Sequence, residues 1–215
     1  MKIKVASRIL EANDRIAEEN KLLFRQSGVT VFNIMGSPGA GKTTLLEKTI
    51  LRLKDGMRIG VIEGDIAGSV DAERIDALGI PVVQLNTEGA CHLDANMINS
   101  VLADLPLNEL DVLFIENVGN LVCPAEFDVG EDMKIMVLSV ADGHDKPLKY
   151  PLMFTKSSAL IINKTDLLPY VDADMNIIQR SALLLNKELK VFKVSCKSGE
   201  GLDGFTQWVS GLKFP

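Results

Sequence analysis

The sequence predicts an α/β fold: a three-layer P-loop NTPase domain with a mostly parallel central sheet and an added N-terminal helix. Three observations predict it. Seven short apolar runs recur along the 215 residues: VTVFNIM, MRIGVIEG, PVVQLN, DVLFIEN, KIMVLSV, ALIIN and KVFKVS. Longer stretches of mixed composition separate most of them, and the runs are nearly continuous in apolar residues, as strands covered by helices on both faces are. A glycine-rich loop stands between the first run and the helical stretch that follows it. Hydrophobic residues make up 47% of the chain, enough to build one core at this length. The net charge of −6 gives the surface as a whole no attraction for nucleic acid or acidic lipid. No apolar run approaches the roughly 18 residues a membrane helix needs. The opening MKIKVASRILEANDRIAEEN lacks the apolar stretch of a signal peptide. A cytoplasmic protein with no membrane partner is expected. Three cysteines, Cys91, Cys123 and Cys196, are too few and too odd in number for a disulfide framework.

Residues 5–27 read as a helix, because Ile9, Ala12, Ile16 and Leu23 recur at helical spacing and Ser27-Gly28 supplies a stop. The expected organisation is a helical extension over residues 1–28 and a P-loop domain over 29–215. The first strand runs into GSPGAGKTT, Gly36 to Thr44, which fits G-x-x-x-x-G-K-S/T in the required setting between strand and helix. Gly36, Ser37, Pro38, Gly39, Ala40 and Gly41 are expected to curl so that successive N–H groups face phosphates, and the helix that follows adds its positive end. Lys42 is placed to reach the β- and γ-phosphates and Thr43 to ligate Mg²⁺, with Thr44 beside it also counted among the nucleotide-binding residues. The second strand leads into IEGDIAGSVDAERI. Asp65 and Asp71 there suit the positioning of attacking water or of a Mg²⁺-bound water, and suit helix capping equally well.

The third strand leads to EGACHLDA, with Cys91 and His92 adjacent. The fourth ends in ENVGNLVCP. Glu116 and Gly119 have the D-x-x-G spacing of a GTPase switch, in which an acid serves Mg²⁺ and a glycine N–H meets the γ-phosphate. Asn120 follows, where some GTPases place a water-orienting glutamine, so hydrolysis recruits another group or is slow. Cys123 lies 32 positions after Cys91, and both follow strand ends. Two thiolates and an imidazole suit Zn²⁺ or Ni²⁺. Three protein ligands do not close a tetrahedral site, so a water or a second subunit completes it; the bland alternative is two small packed thiols and a capping histidine. If these residues do bind metal, one short segment serves both γ-phosphate and metal, and nucleotide and metal affinities must be linked.

The sixth strand leads into NKTD, Asn163 to Asp166. A carboxylate at Asp166 accepts from guanine N1–H and the N2 amine, donors that adenine does not present. Lys164 can cover the ring with its aliphatic stem, and Asn163 can brace the neighbouring loop. SCKSGEG after the seventh strand is similar to the loop that contacts guanine O6, with Ser195, Cys196 and Lys197 at its start. Cys196 reads there as a small packing residue.

In combination, GSPGAGKTT, IEGD, GACHLDA, ENVGNLVCPAEFDVGE, DKPLKYP, NKTDLL and SCKSGEG resemble the hydrogenase nickel-incorporation GTPases, the HypB family, across nearly the whole chain. The resemblance implies a SIMIBI-class P-loop fold, binding of GTP and GDP with Mg²⁺, slow hydrolysis and a GTP-promoted homodimer. It implies nickel delivery during maturation of nickel–iron hydrogenase, with a maturation partner protein and the hydrogenase large subunit as partners. It gives Cys91, His92 and Cys123 a metal role, and it brings Lys146 or Lys149 towards the phosphates, with His144 a loop residue. The opening residues carry neither the cysteine-rich nor the histidine-rich nickel motif of some relatives. The rivals are a urease-accessory nickel GTPase, which uses a Cys-Pro-His motif not found here, a P-loop kinase or ATPase, and a metal-binding module with weak nucleotide switching.

Overall fold

The computed structural model describes residues 3–66 and 68–212, with side chains from residue 9 onward. Seven strands form one sheet: β1 (Thr30–Gly36), β2 (Ile59–Asp65), β3 (Val82–Asn86), β4 (Val112–Glu116), β5 (Met133–Ser139), β6 (Ala159–Asn163) and β7 (Lys190–Lys193). Each coincides with one of the seven apolar runs. Their order is β3-β2-β4-β1-β5-β6-β7, and every neighbouring pair is parallel. The helices are α1 (Ile3–Ser27), α2 (Lys42–Leu53), α3 (Val70–Asp76), α4 (Ala95–Val101), α5 (Cys123–Glu126), α6 (Lys146–Lys149), α7 (Pro151–Lys156), α8 (Met175–Leu185) and α9 (Leu202–Gly211).

Side chains alternate across a strand, and that alternation sorts the core. On one face Phe32, Ile34, Val61, Phe114 and Ile161 pack with Leu45, Leu46 and Ile50 of α2 and with Phe205 and Val209 of α9. On the other, Val31, Ile62, Leu113 and Ile115 pack with Phe24 of α1 and Ile98 of α4, while Met35, Leu138, Leu160 and Ile162 meet Phe154 of α7 and Ile178 of α8.

The helix expected at the N-terminus is α1, but its buried stripe is displaced from the apolar positions that signalled it. Ile9 and Leu23 are exposed, whereas Asn13, Ala17, Asn20 and Phe24 are buried. The two asparagines explain the shift, because each satisfies buried backbone. Asn13 donates to Asp128 O and accepts from Ala95 N–H, and Asn20 donates to Ala95 O and Val129 O. Every polar segment singled out in the sequence leaves the carboxyl end of a strand, so all lie at one edge of the sheet. In open α/β sheets that edge, beside the strand where the order reverses, is where ligands bind.

Candidate functional site

The loop Gly36–Gly41 joins β1 to α2, which starts at Lys42. Three neighbouring segments hold it. From β5, Asp142 accepts from Ser37 Oγ at 2.6 Å and from Ser139 N–H at 3.0 Å. From β6, Asn163 Nδ2 donates to Ala40 O at 2.9 Å and Lys164 Nζ to Gly39 O at 2.6 Å. From β4, Asn120 N–H donates to Gly36 O at 2.9 Å. Gly119 sits directly against the loop. A Cβ there would lie 2.9 Å from Pro38 Cα and 3.0 Å from Pro38 N, so only glycine lets this segment touch the loop.

The sequence-predicted base-recognition residues also converge. Asp166 Oδ1 accepts from Ser195 Oγ at 2.6 Å, and Asn163 Oδ1 accepts from Lys164 N–H and Cys196 N–H. Cys196 is packed into the core, and burial pushes its thiol up to about 11. Lys197 is exposed.

At the start of α2, Lys42 and Thr43 are buried beside Glu116. Thr43 Oγ1 donates to Glu116 Oε1 at 2.9 Å, and Lys42 Nζ lies 4.0 Å away. Glu63, which sequence reasoning missed, completes this group. It is two residues before Asp65 in β2, and the parallel register sets it opposite Glu116. Burial and the neighbouring Glu116 push the Glu63 carboxyl up to about 10, and burial also raises Glu116. Asp65 at the strand end accepts from Ile66 N–H at 2.6 Å. Asp71 stands further off. It pairs with Arg74 at 2.7 Å, and Arg74 also binds Glu47 at 2.6 Å and reaches Thr44 Oγ1 at 3.3 Å. Lys149 is 59% exposed and pairs with Asp145 at 2.5 Å, with Lys146 3.9 Å from the same carboxylate.

Cys91, His92 and Cys123 meet across the end of β2. Cys91 Sγ donates to Cys123 Sγ at 3.0 Å and lies 3.7 Å from His92 Nδ1. The three ligand atoms lie within 4.8 Å of one another. Thiolates on a tetrahedral ion, with bonds of about 2.3 Å, stand roughly 3.8 Å apart, so a small separation of the sulfurs admits one. The chemistry of the donor set fits a borderline-soft ion. The bond from Cys91, then burial, push Cys123 up to about 11, and an ion that binds there displaces its proton. The His92 ring lies against Phe127, tilted by 35° with centroids 4.0 Å apart, and burial lowers its pKa, which favours the neutral ligating form.

One buried amide joins this cluster to the Glu116–Cys123 segment. Asn117 follows Glu116, so it points to the opposite face of the sheet, towards α1 and α4. Its Oδ1 accepts from Leu93 N–H and Val118 N–H, both at 3.0 Å, and its Nδ2 donates to Asn33 Oδ1 at 3.2 Å. Asn33 in turn donates to Glu131 at 3.0 Å.

Residues 30–193 match the family model described as the CobW/HypB/UreG nucleotide-binding domain. The hydrogenase maturation factor HypB of Escherichia coli K12 is 48% identical over 207 residues, covering 96% of this chain and 71% of the relative. Two solved structures superpose with a TM-score of 0.88 at 38% identity: HypB of Archaeoglobus fulgidus, over 94% of this chain and 98% of that one, and HypB of Helicobacter pylori in complex with nickel, over 94% and 95%. Motifs, fold and similarity agree: the chain belongs to the HypB family of hydrogenase maturation factors, within the CobW/HypB/UreG group of nucleotide-binding domains.

Proposed function

We propose that this protein is a metal-coupled GTPase that carries nickel during maturation of nickel–iron hydrogenase, and that GTP binding and hydrolysis switch both its dimerisation and its metal ligation. The observation that carries this reading is the single segment from Glu116 to Cys123. Its first residue accepts from the P-loop Thr43, its Gly119 rests on Pro38, and its last residue meets Cys91.

In this reading the Gly36–Gly41 loop and Lys42 hold the phosphates, and Asp166 accepts from the guanine edge while Asn163 and Lys164 brace the loop against it. Mg²⁺ would be held by Thr43, Glu116 and Asp65, and it supplies positive charge to the β- and γ-phosphates. The unpartnered buried Oε2 atom of Glu116 supports that fit. Asn120 carries an amide with no glutamine reach, and hydrolysis is slow. Cys91, His92 and Cys123 take the cargo ion, Ni²⁺ or Zn²⁺, and a second copy of the chain completes its coordination. Lys149 exchanges Asp145 for a phosphate in the GTP-bound dimer. A maturation partner protein and the hydrogenase large subunit receive the metal in the cytoplasm.

Titration of Ni²⁺ and Zn²⁺ into the GDP complex and into the complex with a non-hydrolysable GTP analogue tests this reading, with light scattering alongside. Metal affinity that differs between the two states, with more dimer in the GTP state, is expected. Equal affinities would leave a metal-binding module with no working switch. ATP binding as tight as GTP binding would remove the guanine assignment.

A further inference from the structure

The mechanism above leaves Glu63 without a task. Its position in β2 puts it on the same face as Glu116, and the register pairs the two glutamates directly. Both are buried, 2% and 3% exposed. The two carboxyls hydrogen-bond to each other, and beyond that pair each keeps one oxygen, Oε2, buried and without a partner among the described residues. Burying such an acceptor costs stability unless something donates to it. Glu116 at least has Thr43 for its other oxygen. The cation nearest the pair, Lys42, stands 4.0 Å from Glu116 and is the residue that the phosphates claim in a P-loop. Beside the first turn of the P-loop helix, these two oxygens can therefore accept from a donor that a bound ligand brings. Mg²⁺ supplies such donors, because it keeps several waters when bound through one or two carboxylates and phosphates.

We propose that Glu63 is a positioning residue of the Mg²⁺ site, whose orphan oxygen accepts from the cation's hydration shell alongside Glu116. This inference rests on the GTPase reading. The competing role is purely structural, with Glu63 a neutral carboxyl that donates one hydrogen bond to Glu116. Glu63→Gln separates the two, because an amide keeps a donor for Glu116 but loses the carboxylate. Mn²⁺ serves as the probe, with binding to the full-length chain in its GDP and GTP-analogue complexes followed by electron paramagnetic resonance. Nucleotide affinity in EDTA is measured beside it. The expected result for Glu63→Gln is at least tenfold weaker Mn²⁺ binding, with nucleotide affinity in EDTA within twofold of wild type. Glu63→Asp, which restores the charge one methylene short, falls between. Mn²⁺ binding by Glu63→Gln equal to wild type overturns the proposal, and so does a Glu63→Asp variant weaker than Glu63→Gln. A wild-type chain that binds no guanine nucleotide overturns the GTPase reading and this inference with it.

Discussion

Replacing Asn117 with alanine tests how the two halves of the site are joined. The side chain is fully buried, and one oxygen serves two backbone N–H groups, Leu93 in the loop after Cys91 and Val118 in the Glu116–Cys123 segment. Truncation leaves both donors and the Asn33 oxygen without their partner. Each net hydrogen bond contributes about 1 kcal/mol, and a buried group left unsatisfied costs about 1–3 kcal/mol. With some relaxation, three such groups give a loss of roughly 3–5 kcal/mol. At about 2–4 °C per kcal/mol for a chain of this size, the melting temperature should fall by roughly 6–20 °C. Thermal unfolding measures the first effect. The second is functional: linked sites have coupling energies of about 1–3 kcal/mol, a roughly 5- to 150-fold difference in metal affinity between nucleotide states. Asn117→Ala should move that ratio towards one, while each nucleotide still binds. A fall in melting temperature below about 2 °C would refute the bonding scheme. A large fall with an unchanged affinity ratio would show that the coupling takes another route.

The remaining predictions concern single groups. Asp166→Asn should weaken GTP by roughly 10- to 150-fold, the worth of a charge-assisted bond of about 1.5–3 kcal/mol, and should favour xanthosine triphosphate; competition binding reads both. Cys123→Ala should lower metal affinity by more than the roughly 10- to 100-fold that follows loss of an outer partner, as measured against a chromophoric chelator. Gly119→Ala forces a methyl against the Pro38 backbone at 2.9 Å, so the GTP analogue should bind about 1–3 kcal/mol more weakly, with GDP affected less. Buried Lys134 pairs with Asp128 at 2.6 Å and with Glu131. Burial pulls its pKa down, but these acids outweigh it and the net shift is upward. A folded-state pKa above the unfolded one means its stabilisation is complete below about pH 10.5 and is lost as pH rises through the folded value. Lys134→Met should cost about 3–5 kcal/mol at pH 8 by leaving Glu131 without its counter-charge, and the gap to wild type should narrow towards pH 12 in thermal unfolding.

The strands were legible because a parallel sheet buried on both faces leaves near-continuous apolar runs, and all seven runs are strands. The phosphate loop was legible because its motif, strand and helix are contiguous in sequence. The short helices α5, α6 and α7 left no periodic signal, at four to six residues each. In α1 the periodic residues announced a helix but not its buried face, since Asn13 and Asn20 are buried for what they bond rather than for apolarity. Glu63 was visible in IEGD and Asn117 in ENVG, yet neither could be given a role without register. Register pairs Glu63 with Glu116 and places Asn33, on the other face of β1, where Asn117 can reach it.

The same dependence on register explains why Cys91, His92 and Cys123 come together at all. The strands that carry Cys91 and Cys123 are not neighbours, because β2 runs between β3 and β4. Their loops must therefore cross the end of β2 to meet. The crossing is made over Gly64, where an added Cβ would lie 2.6 Å from Leu93 Cδ1 and 3.0 Å from Glu116 O. Leu93 fills that gap with its fully buried side chain and delivers its N–H to Asn117. The IEGD stretch thus serves two places in the fold with alternate residues. Glu63 and Asp65 lie on the P-loop side, while Gly64, pointing the other way, is the flat place over which the Cys91 loop reaches the Glu116–Cys123 segment. A larger residue at Gly64 would press on Leu93 and on the Glu116 carbonyl, so Cys91 should separate from Cys123, and weaker metal binding against a chromophoric chelator would show it.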